Sequence, residues 1–220
     1  MSKISELSNA TTLTGAETFP LVQSGSTVKD TISDVALYTI ANAGLTGPGY
    51  ISGRYYMNPF ISQSLSTANV GANSMFFVPI YIYKTQTFTG MAYWATASTP
   101  NARFGVYTNN NGVPGTLVGG TEIGAAAIVT GSTQDRAFTA PVSFTPGWYW
   151  MAILTDGTVT LTSSTSSNNN HAIHGVGVLS MTGMNVRLTA AQTYGALPSS
   201  APTASWTEAS GMIVLALKAQ

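Results

Sequence analysis

Trp148-Tyr149-Trp150-Met151-Ala152-Ile153-Leu154-Thr155 is the stretch on which the fold reading rests. Aromatic, aliphatic and β-branched residues fill it, which is the composition of a strand, and Asp156-Gly157 closes it with a turn pair ahead of a second strand, Thr158 to Thr162. Side chains alternate along a strand, so Trp148 and Trp150 share one face while Tyr149, Met151 and Ile153 share the other. Both faces are therefore apolar, whereas a strand in a simple sandwich wets its outer face. Two arrangements meet this pattern: a deep central strand covered by loops of its own chain, or a strand whose outer face packs on another subunit.

The flanks repeat the same signal. Met75 to Tyr83 and Thr87 to Ala97 are rich in aromatic and β-branched residues, and Gln86 with its neighbours leaves room for a hairpin between them. Arg103 to Thr108 is a strand that feeds the loop Asn109 to Gly115, whose Asn-Gly and Pro-Gly pairs favour tight turns. Gly211 to Lys218 ends the chain with Ile213, Leu215 and Leu217 on one face. Many short strands, little helix and Gly/Pro turns predict an all-β domain over residues 54–220, a jelly roll or β-sandwich.

Composition narrows the function. Of 220 residues only 7% are charged, against about 25% in an ordinary soluble domain. The surface is therefore wetted by Thr, Ser and Asn, or is partly buried against neighbouring subunits. Eight basic residues balance eight acidic ones, with no Lys/Arg cluster, which argues against nucleic-acid binding. The chain has no cysteine, which excludes disulfides and thiolate chemistry. Met1 to Ala10 lacks the apolar stretch of a signal peptide, and the longest apolar run, Met75 to Tyr83, is too short for a membrane helix; no membrane insertion is expected.

Residues 1–45 read as a separate module. Four of the eight acidic residues, Glu6, Glu17, Asp30 and Asp34, lie there. Leu13, Phe19, Leu21 and Val28 are spaced by Thr, Gly, Pro and Gln, which suits extended segments joined by turns such as Gln23 to Ser26. Ser33 is placed to cap a short helix carrying Val35, Leu37 and Ile40 before Gly44. Residues 46–53, with Gly47, Pro48, Gly49 and Gly53, read as a linker. Chains below about 40–50 residues usually need a disulfide, metal or partner to stay folded, so the arm is expected to order by docking.

The wording of this module, Lys3-Ile4-Ser5-Glu6-Leu7, Ala10 to Glu17, Phe19 to Gln23 and Val28 to Val35, resembles the amino-terminal segment of many tailed-bacteriophage fibre, spike and head-decoration proteins. That resemblance covers about the first 45 residues and implies a virion-attachment arm, with Ile4, Leu7, Leu13, Phe19, Leu21, Val28, Val35 and Leu37 as docking residues. A second resemblance, carried by Arg103 to Tyr107, the Asn109 to Leu117 loop and Phe144 to Trp150, is to jelly-roll domains at phage fibre tips and in some carbohydrate-binding modules. It implies a homotrimer. Phage fibres carry a long shaft between anchor and tip, whereas only residues 46–53 intervene here, which favours a short knob on the capsid. Together the resemblances imply a non-enzymatic virion surface protein, assembled in the host cytoplasm. It would be a capsid decoration or head-fibre protein that docks on other virion proteins, or else a tail fibre or receptor-binding protein for a host glycan.

Candidate chemistry is sparse. Glycosidase action needs two carboxyls about 5–10 Å apart, one of them with a raised pKa. Beyond residue 54 only Glu122, Asp135, Asp156 and Glu208 exist; Asp156 reads as a hairpin residue and the others sit among turn-like neighbours. No Gly-x-Ser-x-Gly elbow or phosphate-binding glycine loop occurs, so no catalytic residue and no cofactor is assigned. His171 and His174 fall on opposite faces of a strand; they read as loop or edge residues, the alternative being one His from each of three copies holding an axial metal. Asn109 to Asn111 with Asp156 is a poor calcium ligand set and reads as a turn. Tyr93, Trp94, Tyr107 and Trp206, with Tyr55-Tyr56, are the candidate sugar-stacking platform, set against the ordinary reading of core or subunit packing.

Overall fold

The computed structural model describes residues 16, 18–24, 26–33, 35, 49–58, 65–164, 187–202, 206–209 and 211–220. The chain divides into two units, Met1–Gly49 and Tyr50–Gln220. In the first, β1 (Thr18–Gln23) and β2 (Ser26–Thr31) form an antiparallel hairpin, with Leu21 opposite Val28 and Gln23 opposite Ser26. Ser24 holds a φ of 50° at the turn, within the expected Gln23 to Ser26 segment. Ile32, Ser33 and Val35 are helical, so Ser33 lies inside the first turn instead of flanking it as its cap.

The second unit is an all-β sandwich of two antiparallel sheets. In one sheet β6 (Gln86–Ala97) is central. Along one edge it carries β10 (Thr133–Phe144); along the other lie, end to end, β15 (Leu215–Ala219) and β12 (Val159–Ser164), with β3 (Tyr55–Tyr56) beyond β15 and β4 (Leu65–Val70) beyond β12. The other sheet runs β14 (Thr207–Ala209), β13 (Arg187–Ala191), β5 (Ser74–Ile82), β11 (Gly147–Thr155) and β7 (Asn101–Asn110). On the far edge of β7 sit β8 (Val113–Leu117) and β9 (Ile123–Ala127). Among the described residues no helix is long and apolar enough to cross a membrane.

Alternation puts Phe76, Val78, Ile80, Phe104, Val106, Met151 and Ile153 of the second sheet against Phe88, Met91, Tyr93, Leu161, Leu215 and Leu217 of the first, all buried. This is the main core, and it is sealed at one end by Tyr50, which stacks on Tyr83 at 4.4 Å and meets Phe88 edge-on at 5.5 Å. Gly53 N also donates to Ala219 O. Residues 50–53, read from sequence as the end of a linker, thus belong to the sandwich, because the half-buried Tyr50 packs against its core.

Both hairpins expected from turn-like pairs beside long strands are absent. β5 and β6 join opposite sheets, as do β11 and β12, so each connection crosses the sandwich. Two strands with strongly apolar inward faces bury more surface by facing each other across the core than by lying side by side. Asp156 does not act as a hairpin residue: its carboxylate accepts from Asn101 N and Asn101 Nδ2, both at 2.8 Å. The β7–β8 hairpin does form, with Asn110 opposite Val113 and Asn111 and Gly112 at φ of 49° and 90°. Two consecutive positive φ values are what an Asn-Gly hairpin turn requires.

The doubly apolar strand has a physical explanation within the chain. Trp150, Ala152 and Leu154 of β11 join Met75, Phe77, Tyr107, Leu188 and Ala190 in a second buried cluster on the outer face of their sheet. Residues 192–202 lie over it as a strap whose Leu197 and Ala201 enter the cluster. The strap is tied by Tyr107 Oη donating to Pro198 O at 2.8 Å, Leu117 N to Ser199 O at 2.9 Å, Ala201 N to Gly115 O at 2.8 Å and Leu197 N to Glu122 Oε1 at 2.9 Å.

Candidate functional site

The structure disperses the aromatic residues proposed from sequence as one platform. Tyr93 and Tyr107 are fully buried, so neither offers a face to a ligand. Tyr93 stacks on Phe104 at 5.2 Å inside the main core; its hydroxyl accepts from Val129 N and from Arg136 Nη2. Tyr107 faces the strap, meets Phe77 edge-on at 5.6 Å, and burial pushes its hydroxyl pKa up. Alternation sends Trp94 to the outer face of its sheet, where it is 45% exposed, while Trp206 is exposed at the start of β14 in the other sheet. Adjacent aromatics in a strand point to opposite sides, so Tyr93-Trp94 could not act as a pair.

The acidic residues have structural partners. Glu122 pairs with Arg103 at 3.0 Å and accepts from the strap at Leu197 N. Asp135 accepts from Lys218 Nζ across the sheet and is hydrogen-bonded by Tyr55, and Lys218 Nζ lies 5.5 Å from the Tyr55 ring. Burial would raise the Asp135 carboxyl; the bonds from Lys218 and Tyr55 outweigh it and hold it below the usual carboxylate value. Arg187 is nine-tenths buried, donates to Gly211 O at 2.8 Å and lies 4.8 Å over Phe76; burial pushes its pKa down to about 10. These contacts join strands and loops.

Among the described residues no group of three or more His, Cys, Asp or Glu could hold a metal. His171 and His174 lie outside the described residues, as do the docking candidates Ile4, Leu7, Leu13 and Leu37. Phe19 and Leu21 fall in β1 and Val28 in β2; Val35 is helical and exposed.

A different aromatic pair is assembled. Tyr81 of β5 stands directly opposite Trp148 of β11 on the outer face, beyond the strap, with ring centroids 5.1 Å apart and planes at 49°. Tyr81 is 40% exposed and Trp148 half-buried. The register Tyr149 to Thr108 brings Asn109 of β7 alongside Trp148 in the same row. Asn109 Oδ1 accepts from Trp150 Nε1 at 3.0 Å, which fixes the amide. The signal was present in sequence as the shared face of Trp148 and Trp150; the partner Tyr81, 67 positions earlier, needed the register.

No known protein family matches this chain, and no curated protein matches it.

Proposed function

We propose that the protein is a non-enzymatic structural component of a tailed-phage virion, a homotrimeric capsid decoration or head-fibre protein held to the particle by its amino-terminal unit. The observation that carries this reading is the division at Gly49: a unit whose described elements are two six-residue strands and a few helical residues precedes a sandwich with its own core. A segment of that size gains stability by burying apolar residues on a partner, each worth about 1.5–3 kcal/mol when fully buried. Three arms on one trimer multiply the attachment, since linked sites raise avidity over single-site affinity by about 10²–10⁴. The 7% charge content supports a surface partly covered in an assembly, and the structural engagement of Glu122, Asp135 and Asp156 supports a non-catalytic role.

The experiment compares the full chain with residues 50–220 on particles of the phage that encodes it, by co-sedimentation and by imaging of labelled protein. The cut falls before Tyr50 because that residue seals the core. The shortened chain should remain a soluble trimer and leave the particles; retained binding would remove the basis of the proposal. Label on heads supports decoration. Label on tails supports the second reading, a receptor-binding protein, which the pairing of exposed Tyr81 with half-buried Trp148 favours.

A further inference from the structure

The outer face of the strapped sheet ends in a row that is aromatic, exposed and rich in uncommitted polar atoms. Most tyrosine hydroxyls of the sandwich have duties. Tyr56 accepts from Ile51 N, Tyr50 from Tyr83 N and Tyr93 from Val129 N, while Tyr107 donates to Pro198 O and Tyr149 to Thr145 O. Tyr55 is bonded to Asp135. Tyr81 Oη, in contrast, makes no hydrogen bond among the described residues, and neither does Trp148 Nε1 or Asn109 Nδ2. Because Trp150 Nε1 occupies Asn109 Oδ1, the amide cannot flip, and its two N–H donors are presented at an exposed position.

We infer that Asn109, Trp148 and Tyr81 form a binding site for a neutral pyranose saccharide. The ligand class follows from what the row offers. A pyranose has an apolar C–H face, which packs on aromatic rings, and a rim of hydroxyls that both donate and accept; the tilted rings supply the first surface, and Nδ2, Nε1 and Oη supply partners for the second. Asn109, Trp148 and Tyr81, with Pro79 and Trp150 beside them on the same face, carry no formal charge, which matches a neutral sugar; the exposed Lys84, three residues beyond Tyr81, is the first charge along that strand's exit. A purely apolar partner would bury three polar groups without hydrogen bonds, which is unfavourable. The site does not depend on the virion reading, which concerns what residues 1–49 attach to.

The test applies the full chain to an array of neutral and acidic saccharides and follows hits by tryptophan fluorescence titration. Neutral pyranose-containing saccharides should bind and perturb Trp148 emission. Trp148→Ala and, separately, Tyr81→Ala should weaken binding by about tenfold or more, as expected for anchor aromatics. Asn109→Asp keeps the acceptor for Trp150 but removes the donors, and should weaken binding while the fold, read by circular dichroism, is unchanged. Trp94→Ala and Trp206→Ala should bind as the parent does. The inference is overturned if no neutral saccharide binds, if only acidic ones bind, or if binding survives both Tyr81→Ala and Trp148→Ala. It is also overturned if those substitutions dissociate the oligomer in sedimentation, which would make the row a subunit contact. Particle binding through residues 1–49 is measured separately, so either idea can fail alone.

Discussion

Leu197→Ala should destabilise the sandwich, and its cost should shrink when Gly105→Ala is made in the same chain. Leu197 is 5% exposed and drops from the strap into a trough floored by Gly105 and, opposite it in β11, Ala152. A Cβ added at Gly105 would stand 2.6 Å from Leu197 Cδ1 and 3.0 Å from Leu117 Cδ1. Truncating a buried leucine costs about 2–5 kcal/mol; a strap can sag toward the sheet and partly close the void, which places this case near the lower end, about 2–3 kcal/mol. In a domain of this size 1 kcal/mol moves Tm by about 2–4 °C, so Leu197→Ala should lower it by about 4–12 °C. Gly105→Ala alone overpacks the trough by about 1–2 kcal/mol, since two leucine methyl groups must move. In the double variant the new methyl enters space that Leu197 has left. The combined loss should then fall short of the sum by at least about 1 kcal/mol, which is the coupling a double-mutant cycle reports for residues in contact. Urea unfolding of the four proteins, read by circular dichroism and fluorescence, measures it. Additive losses, or a Leu197→Ala protein within about 0.5 kcal/mol of the parent, would refute the strap's packing role.

Gly90→Ala in β6 should be worse, because its Cβ would lie 2.2 Å from Arg136 O and 2.9 Å from Ala137 Cα, both backbone atoms of β10; a loss of about 3 kcal/mol or more is expected, and an unchanged urea midpoint would contradict the β6–β10 pairing. Glu122→Ala removes the acceptor shared by Arg103 and Leu197 N, so residues 192–202 should be cleaved faster in limited proteolysis, with a stability loss of about 1–2 kcal/mol. Asp135 has a folded-state pKa depressed below its unfolded value, so its contribution is present above the usual carboxylate range and is lost as pH falls through the folded value. Acid unfolding at low salt should therefore be shallower in Asp135→Asn than in the parent below about pH 4, with a small difference that added salt removes, because the pair is largely in water. Equal acid profiles at low salt would show that the pair contributes nothing.

How far the residues could be read in advance differs from place to place. Strand composition located β5, β6, β7, β11 and β15, because aromatic and β-branched residues mark a pleated, half-buried surface wherever it pairs. The Asn111-Gly112 turn was legible because it needs positive φ at two successive residues, a property of those residues themselves. Asp156-Gly157 carried the same local signal and misled: Gly157 is not among the positive-φ glycines, and Asp156 is engaged by Asn101, 55 residues earlier. Tyr107 looked available beside a polar loop and is covered by a strap about 90 residues further on, through Pro198.

By itself, then, the sequence determined what short-range chemistry can specify: an all-β second unit, a distinct first one, and strands with two apolar faces. Tertiary structure alone decided which strands cross the sandwich and that the chain's own strap covers Trp150. It also decided that Tyr81, Trp148 and Asn109 meet while Tyr93, Trp94, Tyr107 and Trp206 do not. The reason is physical. Alternation and turn preference act over a few residues, whereas pairing and coverage depend on where apolar surface can be buried between segments far apart in the chain.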